Sequence, residues 1–244
     1  MIPSCKIYAE DNIKMLWHFD DASFRLAYID PPFNTGRKQK RNELSFSDSY
    51  ANYEEFLYPR LDQAYRILTD DGSLFVHLDY REVHYVKIML DKLFGRACFM
   101  NEIIWAYDYG ARSKKRWSTK HDSILWYVKD PDNYCFNFDA MDRIPYMAPG
   151  LVGKEKAARG KTPTDVWWHT IVSPNSKEKT GYPTQKPLGI LRRIVNVHSN
   201  EGDELIDFFA GSGSFGKAAL ELKRNVTLID QNPDALDVMR KRLL

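Results

Sequence analysis

The stretch ELIDFFAGSGSFGKAAL, residues 204–220, passes from an apolar run through a glycine-rich turn into a helical pattern. Its glycines, Gly211, Gly213 and Gly216, have the spacing G-x-G-x-x-G, in which glycine permits a tight turn and lets a ligand approach the backbone. A second apolar run, NVTLID, ends on Asp230, whose carboxylate can accept hydrogen bonds from two ribose hydroxyls. The pattern predicts a βαβ unit that binds a nucleoside-type cofactor.

The late position of this unit limits the kind of cofactor that it can hold. Only QNPDALDVMRKRLL follows Asp230, which is enough for one helix, so the other strands of the sheet must come from earlier residues. A dinucleotide needs a second mononucleotide-binding half, and the domain that binds one usually comes first in a chain. This order disfavours a nicotinamide-dependent oxidoreductase, which the glycine spacing alone would suggest.

The earlier stretch AYIDPPFN, residues 27–34, ends an apolar run on an aspartate, two prolines and an aromatic ring. Proline has no N–H for a strand ladder, so the Pro-Pro pair ends the strand and makes the following turn rigid. If this strand lies beside the one that precedes the glycine turn, both turns open at the same carboxyl edge and Asp30 lies next to the cofactor. The structural alternative is a strand-ending turn with a core phenylalanine.

Short apolar runs alternate with helical patterns along the rest of the chain. Runs typical of strands begin near residues 5, 24, 73, 99 and 123, and helical spacing is found at 51–68 and 81–95. This alternation predicts an α/β fold, with a doubly wound, mainly parallel Rossmann-like sheet and helices on both faces. We expect a single domain over residues 1–244, with 107–121 and 131–186 as segments inserted at the edge of the sheet.

Composition and cysteine usage narrow the class of protein further. The formal net charge is +2, so any contact with a polyanion has to depend on local patches. Cys5, Cys98 and Cys135 have no C-x-x-C spacing and the histidines have no zinc-like spacing, so we expect neither a disulfide framework nor a metal. With no signal peptide and no run of roughly 18 apolar residues, a cytoplasmic protein is expected.

Four motifs together resemble the S-adenosylmethionine-dependent amino-methyltransferases of DNA, in the permuted beta arrangement. The D/N/S-P-P-aromatic motif of that family matches residues 30–33 and comes first, and its F-x-G-x-G cofactor loop matches residues 209–213 and comes last. Between them, PTQKP at 183–187 is similar to a segment that flanks the methionine end of the cofactor. KHDSILWYVK, from Lys120, is similar to the segment ahead of the target-recognition region, which is short here. The resemblance covers nearly the whole chain and implies the Rossmann-like methyltransferase fold.

The resemblance implies S-adenosylmethionine as the cofactor and assigns residues to it. Asp11 and Asn12 would contact its adenine end, and Asp230 its ribose. The structural alternatives are a helix N-cap for Asp11, the start of a helix for Asp230, and a role in anchoring backbone N–H groups for Asp207. The expected cofactor-binding residues are Asp11, Asn12, Asp30, Lys186, Asp207, Phe208, Phe209, Gly211, Gly213 and Asp230.

The expected reaction is methyl transfer to the exocyclic N6 amino group of adenine in double-stranded DNA, with cytosine N4 as the main alternative. Such an amine is a poor nucleophile because its lone pair is delocalised into the ring. The Asp30 carboxylate and a Pro31 carbonyl could accept its protons and free the lone pair, and the flipped base could stack on Phe33. Methylation at carbon 5 of cytosine would need a catalytic thiol, and the chain has no Pro-Cys dipeptide. The expected catalytic residues are Asp30, Pro31, Pro32 and Phe33.

Basic residues interleaved with aromatic rings are expected to follow DNA phosphates beside the site. The main group comprises Arg37, Lys38, Arg112, Lys114, Lys115, Arg116 and Lys120, and a second comprises Lys154, Lys156, Arg159 and Lys161. Trp167 and Trp168 fit either the core or a DNA platform. A non-catalytic DNA-binding module is disfavoured because Asp30 and Phe33 are both present. The resemblance also allows a homodimer and a cognate restriction endonuclease as partners.

Overall fold

The computed structural model describes residues 2–41, 44–173 and 175–244, without the side chains of residues 38, 40, 41 and 44–47. The strands in this part of the chain are β1 (Cys5–Tyr8), β2 (Phe24–Ile29), β3 (Arg37–Arg41), β4 (Leu44–Asp48), β5 (Leu68–Leu78), β6 (Phe99–Ala106), β7 (His121–Val128), β8 (Val166–Trp168), β9 (Glu204–Asp207) and β10 (Asn225–Ile229). The helices are α1 (Asn12–Leu16), α2 (Tyr53–Ile67), α3 (Val83–Phe94), α4 (Lys154–Arg159), α5 (Leu188–His198), α6 (Ser214–Glu221) and α7 (Pro233–Leu243). Short 3₁₀ turns lie at Arg96–Cys98, Phe138–Ala140 and Pro149–Leu151.

Eight of these strands form one mixed sheet in the order β1-β10-β9-β2-β5-β7-β6-β8. All neighbours from β1 to β5 pair in parallel. β7 runs antiparallel to both of its neighbours, and β8 pairs in parallel with β6 at the edge. The mainly parallel α/β sheet predicted from the sequence is confirmed, and the antiparallel β7 is a feature that the alternation of strands and helices did not indicate.

Continuous burial along the central strands shows that both faces of the sheet are covered. Leu26 to Ile29 in β2 and Val226 to Ile229 in β10 are all buried, although successive side chains on a strand point to opposite faces. Helices α1, α2 and α3 pack on one another, and α6 packs on α5, α7 and β10. The core therefore holds the strands rigidly and fixes the positions of the turns at their ends.

Local signals account for the helix boundaries. Asn52 caps α2 by accepting a hydrogen bond from the Glu55 N–H at 3.2 Å, and Gly95 ends α3 with φ of +89°. Asn232 caps α7, with Pro233 in its first turn. The helices predicted at 51–68 and 81–95 are confirmed. In the described part of the chain, no helix is both long enough and apolar enough to cross a bilayer.

Two regions have structure that their sequence did not reveal. β3 and β4 pair antiparallel in a two-stranded sheet separate from the main sheet, where a basic patch was expected. Residues 131–186 contain α4, β8 and a bridge between Ile144 and Lys161. Elements of three to six residues are too short to establish a period over the window that sequence analysis needs.

Candidate active site

The two predicted turns lie side by side at the edge of the sheet formed by the carboxyl ends of its parallel strands. β2 and β9 lie side by side in parallel, with Leu26 opposite Leu205 and Ala27 opposite Ile206. Their carboxyl ends therefore open at the same edge, which confirms the arrangement predicted from chain order. Both turns line a cavity of about 440 Å³, which lies within the size range of small-molecule sites.

Most of the predicted site residues line this cavity. They are Asn12, Asp30, Pro31, Pro32, Phe33, Lys186, Asp207, Phe208, Phe209, Gly211 and Asp230. Asp11 and Gly213 are not among the residues that line it. Further walls come from residues that the sequence did not single out, including Tyr50, Phe56, Arg60 and Tyr182.

The three glycines of the turn have two different structural roles. Gly211 and Gly213 have φ values of +48° and +69°, in the left-handed region that favours glycine. A Cβ atom at Gly216 would lie 2.6 Å from a methyl carbon of Leu228, so this glycine lets α6 pack closely on β10. The first two glycines shape the turn, and the third brings the helix onto the sheet.

The carboxyl groups of the buried Asp207 and the half-buried Asp230 hold the backbone of these turns. Asp230 accepts hydrogen bonds from the N–H groups of Gly211 and Asn232, both at 2.8 Å, and Asp207 accepts one from Phe209 N–H at 2.9 Å. Burial raises the pKa of Asp230. Burial, together with the charges of Asp30 and Asp230, raises the pKa of Asp207 well above its ordinary range. The anchoring role considered for Asp207 is present, and both carboxyl groups also face the cavity.

Asn12 and Asp11 occupy different positions. Asn12 lines the cavity and donates from Nδ2 to the Phe208 carbonyl at 2.6 Å. Asp11 caps α1 by accepting from Ile13 N–H at 2.9 Å, and it also pairs with Arg60 at 3.2 Å. Arg60 also donates from Nε to Asn12 Oδ1 at 2.6 Å, so this guanidinium of α2 fixes both residues after β1. The helix N-cap considered for Asp11 is present in the structure.

The Asp-Pro-Pro-Phe turn contains a buried side-chain oxygen without a partner among the described residues. Asp30 Oδ2 accepts a hydrogen bond from Lys186 Nζ at 2.5 Å, whereas its buried Oδ1 has no partner among the described residues. The Pro32 carbonyl accepts from the Tyr53 hydroxyl at 2.7 Å. Within the described part of the chain, no hydrogen bond is found to the Pro31 carbonyl. Two acceptors of this turn therefore have no hydrogen-bond partner in the described part of the chain.

Tyr28, His77, Asp122 and Tyr107 form a chain of hydrogen-bonded polar side chains next to Phe33. No motif in the sequence indicated this chain. The Phe33 ring stacks on His77, with centroids 6.0 Å apart. His77 hydrogen-bonds to Tyr28 at 2.8 Å and to Asp122 at 3.1 Å, and Asp122 also accepts from Tyr107 at 3.2 Å. Burial disfavours the charged form of Asp122, but these hydrogen bonds and the charges of His77 and Lys186 lower its pKa overall. These contacts connect the Asp-Pro-Pro-Phe turn to the start of the 107–121 loop.

The basic loop 107–121 leaves the same edge of the sheet as the cavity, because β6 runs in the same direction as β5. Arg112, Lys114 and Lys115 are exposed on it. Arg116 lies over the Tyr80 ring, 5.8 Å from its centroid. Lys120 instead donates to the carbonyls of Tyr109 and Ala111 at 2.6 and 2.9 Å, so it holds the loop together.

The remaining predicted DNA contacts are more scattered. Arg37 is exposed on β3, and the side chain of Lys38 lies outside the described residues. Lys154, Lys156 and Arg159 are exposed on α4, in the segment that leaves β7 at the opposite edge of the sheet. Trp167 is buried and packs under the Arg193 guanidinium at 4.7 Å, whereas 77% of Trp168 is exposed. The two tryptophans therefore differ, one in the core and the other on the surface.

Known proteins share both the sequence pattern and the fold of this chain. The family model described as DNA methylase, N6_N4_Mtase, matches residues 24–241. The type II methyltransferase M.HpaI of Haemophilus parainfluenzae is 29% identical over 98% of this chain and 74% of its own length. The DNA adenine methyltransferase YhdJ of Escherichia coli (strain K12) is 28% identical over 91% of this chain and 76% of its own.

A solved structure, the PvuII DNA methyltransferase (cytosine-N4-specific), has the same fold. It superposes with a TM-score of 0.75 over 100% of this chain and 88% of that chain, at 16% sequence identity. Because the family match spans most of the chain and the two predicted turns form one cavity, the family predicted from the four motifs is confirmed, together with its cofactor. The chain belongs to the N6/N4 DNA methylase family, whose enzymes methylate DNA with S-adenosylmethionine.

Proposed function

We propose that this protein methylates the N6 amino group of adenine at a specific sequence in double-stranded DNA. The observation that carries the proposal is the pair of unpartnered acceptors at the Asp30 turn. Asp30 and Pro31 both line the cavity, and the buried Oδ1 of Asp30 has no hydrogen-bond partner among the described residues. Two acceptors on adjacent residues match the two protons of an exocyclic amine.

The residues of the cavity suit the cofactor. S-adenosylmethionine supplies an electrophilic methyl carbon on a positively charged sulfur, which becomes a neutral thioether when the methyl group leaves. Asp30, Asp207 and Asp230 surround the cavity with buried or partly buried carboxyl groups, and a carboxylate removed from water is stabilised by a cationic neighbour. Asn12 and Asp230 are the side chains that would hold the nucleoside end, and the Gly211 turn gives it access to the backbone.

The Asp30 turn would activate the amine. Hydrogen bonds from the two amino protons to Asp30 Oδ1 and the Pro31 carbonyl favour a tetrahedral nitrogen, whose lone pair is then directed at the methyl carbon. The new nitrogen–carbon bond forms as the carbon–sulfur bond breaks, and the electron pair of that bond stays on sulfur. The nitrogen then loses one proton to the Asp30 carboxylate, which releases it to solvent. Most of the rate enhancement would come from positioning and electrostatics.

The base has to leave the duplex to reach this turn. Phe33 offers an aromatic face for it, and contacts with His77 and with the Lys186 ammonium, 5.0 Å from its ring centroid, support that ring. The exposed Arg112, Lys114 and Lys115 lie on the loop that leaves this edge of the sheet, so they are suited to DNA phosphates. We therefore assign 107–121 as the first DNA-contact segment of a single domain. We also assign 131–186, which begins at the opposite edge of the sheet and returns to the cavity at Lys186, as a second.

Adenine is favoured over cytosine by the Asp-Pro-Pro-Phe motif and by the relative whose name states adenine. A type II restriction-modification role is supported by the relative named as a type II methyltransferase. The activation chemistry is the same for cytosine N4, because its amine is conjugated with the ring in the same way. Cytosine is therefore the alternative base for the same site.

The test is a transfer assay with an identified product. The protein is incubated with methyl-labelled S-adenosylmethionine and unmethylated DNA, the DNA is digested to nucleosides, and the labelled nucleoside is identified by chromatography and mass. Label in N6-methyl-2′-deoxyadenosine is the expected result, and Asp30→Ala should give none. Label in N4-methyl-2′-deoxycytidine would refute the choice of base. No label, with a folded protein that binds the cofactor, would refute DNA methylation by this chain alone.

A further inference from the structure

The Lys186 ammonium is buried against the catalytic turn. Its Nζ lies 2.5 Å from Asp30 Oδ2 and 5.0 Å from the centroid of the Phe33 ring. The exposed fraction of the Lys186 side chain is 9%, and that of the Asp30 side chain is 20%. A buried lysine is stabilised by a close anionic partner, and here that partner is the carboxylate assigned to amine activation. The two residues are 156 positions apart in the chain.

The backbone around Lys186 is built to hold it in this place. The Gln185 side chain accepts from the Thr180 hydroxyl at 2.8 Å and donates to the Glu178 carbonyl at 2.7 Å. Glu178 in turn accepts from the Leu188 N–H at 3.2 Å, at the start of α5. Lys186 lies between a hydrogen-bonded loop and a helix N-terminus, so little freedom remains to its backbone.

Titratable groups from four elements lie close enough to Asp30 to respond to its charge. After burial, the charge of Asp30 contributes to the raised pKa values of Asp207, Tyr28, Tyr53 and Tyr182. These groups come from β9, β2, α2 and the loop before α5. Among the described residues, the cationic side chain in contact with Asp30 is that of Lys186.

We propose that Lys186 is a positioning residue for methyl transfer, and that it acts through Asp30 rather than by binding the cofactor. Its ammonium donates to Oδ2, which fixes the orientation of the carboxylate and leaves Oδ1 as the acceptor for the amino proton. Lys186 itself transfers no group. This inference rests on the proposed methyl transfer and replaces the role at the methionine end of the cofactor that the sequence resemblance implied.

The test compares Lys186→Met, which keeps the length of the side chain and removes its charge, with Lys186→Arg, which keeps the charge. Single-turnover rates are measured from pH 5 to 9 with saturating DNA and cofactor, and the Kd for S-adenosylmethionine is measured by calorimetry. Lys223→Met is the matched control. Lys223 is an exposed lysine paired with Glu201 at 3.1 Å. It precedes β10, at the amino ends of the parallel strands, whereas the cavity lies at their carboxyl ends.

For Lys186→Met, the rate at neutral pH should fall by about 10- to 100-fold because the acceptor is no longer held in place. The acid limb of its pH–rate profile should move to higher pH, since a carboxylate without its cation is protonated more easily. The Kd for the cofactor should change by less than about threefold. Lys186→Arg should recover the acid limb of the wild type. Thermal denaturation identifies any variant that fails to fold.

Two outcomes would overturn the proposal. A Kd raised by about tenfold or more with an unmoved acid limb would make Lys186 a cofactor ligand. An unchanged rate and pH profile would leave it with no role in transfer. Both results require an active wild-type protein, whereas failure of the proposed function would show as no methylated DNA from the wild type, so the two failures are distinguishable.

Discussion

Replacing Asp30 by asparagine should do more than remove a charge. In the Asp30→Asn variant, the Lys186 ammonium can only donate, so it should draw the amide oxygen to the place of Oδ2, which lies 2.5 Å from Nζ in the wild type. The amide NH₂ then takes the place of Oδ1, the atom without a partner among the described residues of the wild-type protein. A donor therefore faces the amino protons of the base where an acceptor is needed.

The magnitude follows from the hydrogen bonds that change. Losing a charge-assisted bond to the amine costs about 1.5–3 kcal/mol, and leaving a buried donor opposite another donor costs about 1–3 kcal/mol more. Together these terms predict a single-turnover rate lower by about 10²- to 10⁴-fold. The affinity for S-adenosylmethionine should change much less, because the backbone contacts of Asp207 and Asp230 are untouched.

The assay is single-turnover methylation with calorimetric measurement of cofactor binding, and Asp237→Asn on the exposed face of α7 is the matched control. Asp30→Ala removes the acceptor without adding a donor, so it should be no more impaired than Asp30→Asn. An asparagine variant that keeps a tenth or more of the wild-type rate would refute the reasoning, and so would one clearly more active than the alanine variant.

Three further predictions concern the cofactor, the DNA and the acid stability of the protein. Asp230→Ala should weaken S-adenosylmethionine binding by about 1–3 kcal/mol, the scale of a lost hydrogen bond to a charged group, and an unchanged calorimetric affinity would remove Asp230 from the site. Lys114→Ala and Lys115→Ala should each weaken DNA binding across all sequences and reduce the slope of log affinity against log salt by about one, whereas slopes equal to that of Lys223→Ala would argue against phosphate contacts. Burial lowers the pKa of His198 to about 3. Below its ordinary value of about 6.5 the unfolded chain therefore binds a proton that the folded protein does not, and the free energy of unfolding should fall by about 2 kcal/mol between pH 7 and 5. His198→Phe should lose this part of the pH dependence in urea unfolding, and equal pH dependence in the two proteins would contradict it.

Much of the site could be predicted because its motifs depend on the local conformation of the backbone. Gly211 and Gly213 lie at positive φ where the turn requires it, and the two prolines end β2 directly before the cavity. The order of the motifs along the chain also predicted that β2 and β9 are neighbours, because a glycine turn near the end of the chain needs earlier strands beside its own strand. The helix starts at Asn52 and Asn232 likewise depend on residues within one turn of each other.

Other features depend on contacts that no local pattern encodes. Trp167 and Trp168 are adjacent on β8 and point to opposite faces, and alternation alone does not say which face the core covers. In the sequence, β3 is a run of mostly basic residues without a strand pattern. Its antiparallel pairing with β4 is known only from the structure. The polar chain of Tyr28, His77, Asp122 and Tyr107 joins three strands and a loop.

The sequence by itself determined the class of fold and the family, and it predicted the two turns that line the cavity, because each depends on a short stretch or on the order of such stretches. Only the tertiary structure decided which side chains meet. Lys186 pairs with Asp30 from 156 positions away, and Arg60 of α2 joins Asp11 and Asn12. The physical reason is that periodicity and turn chemistry specify the type and the ends of an element, whereas the partner of a buried charge is set by the packing of elements that are distant in the chain.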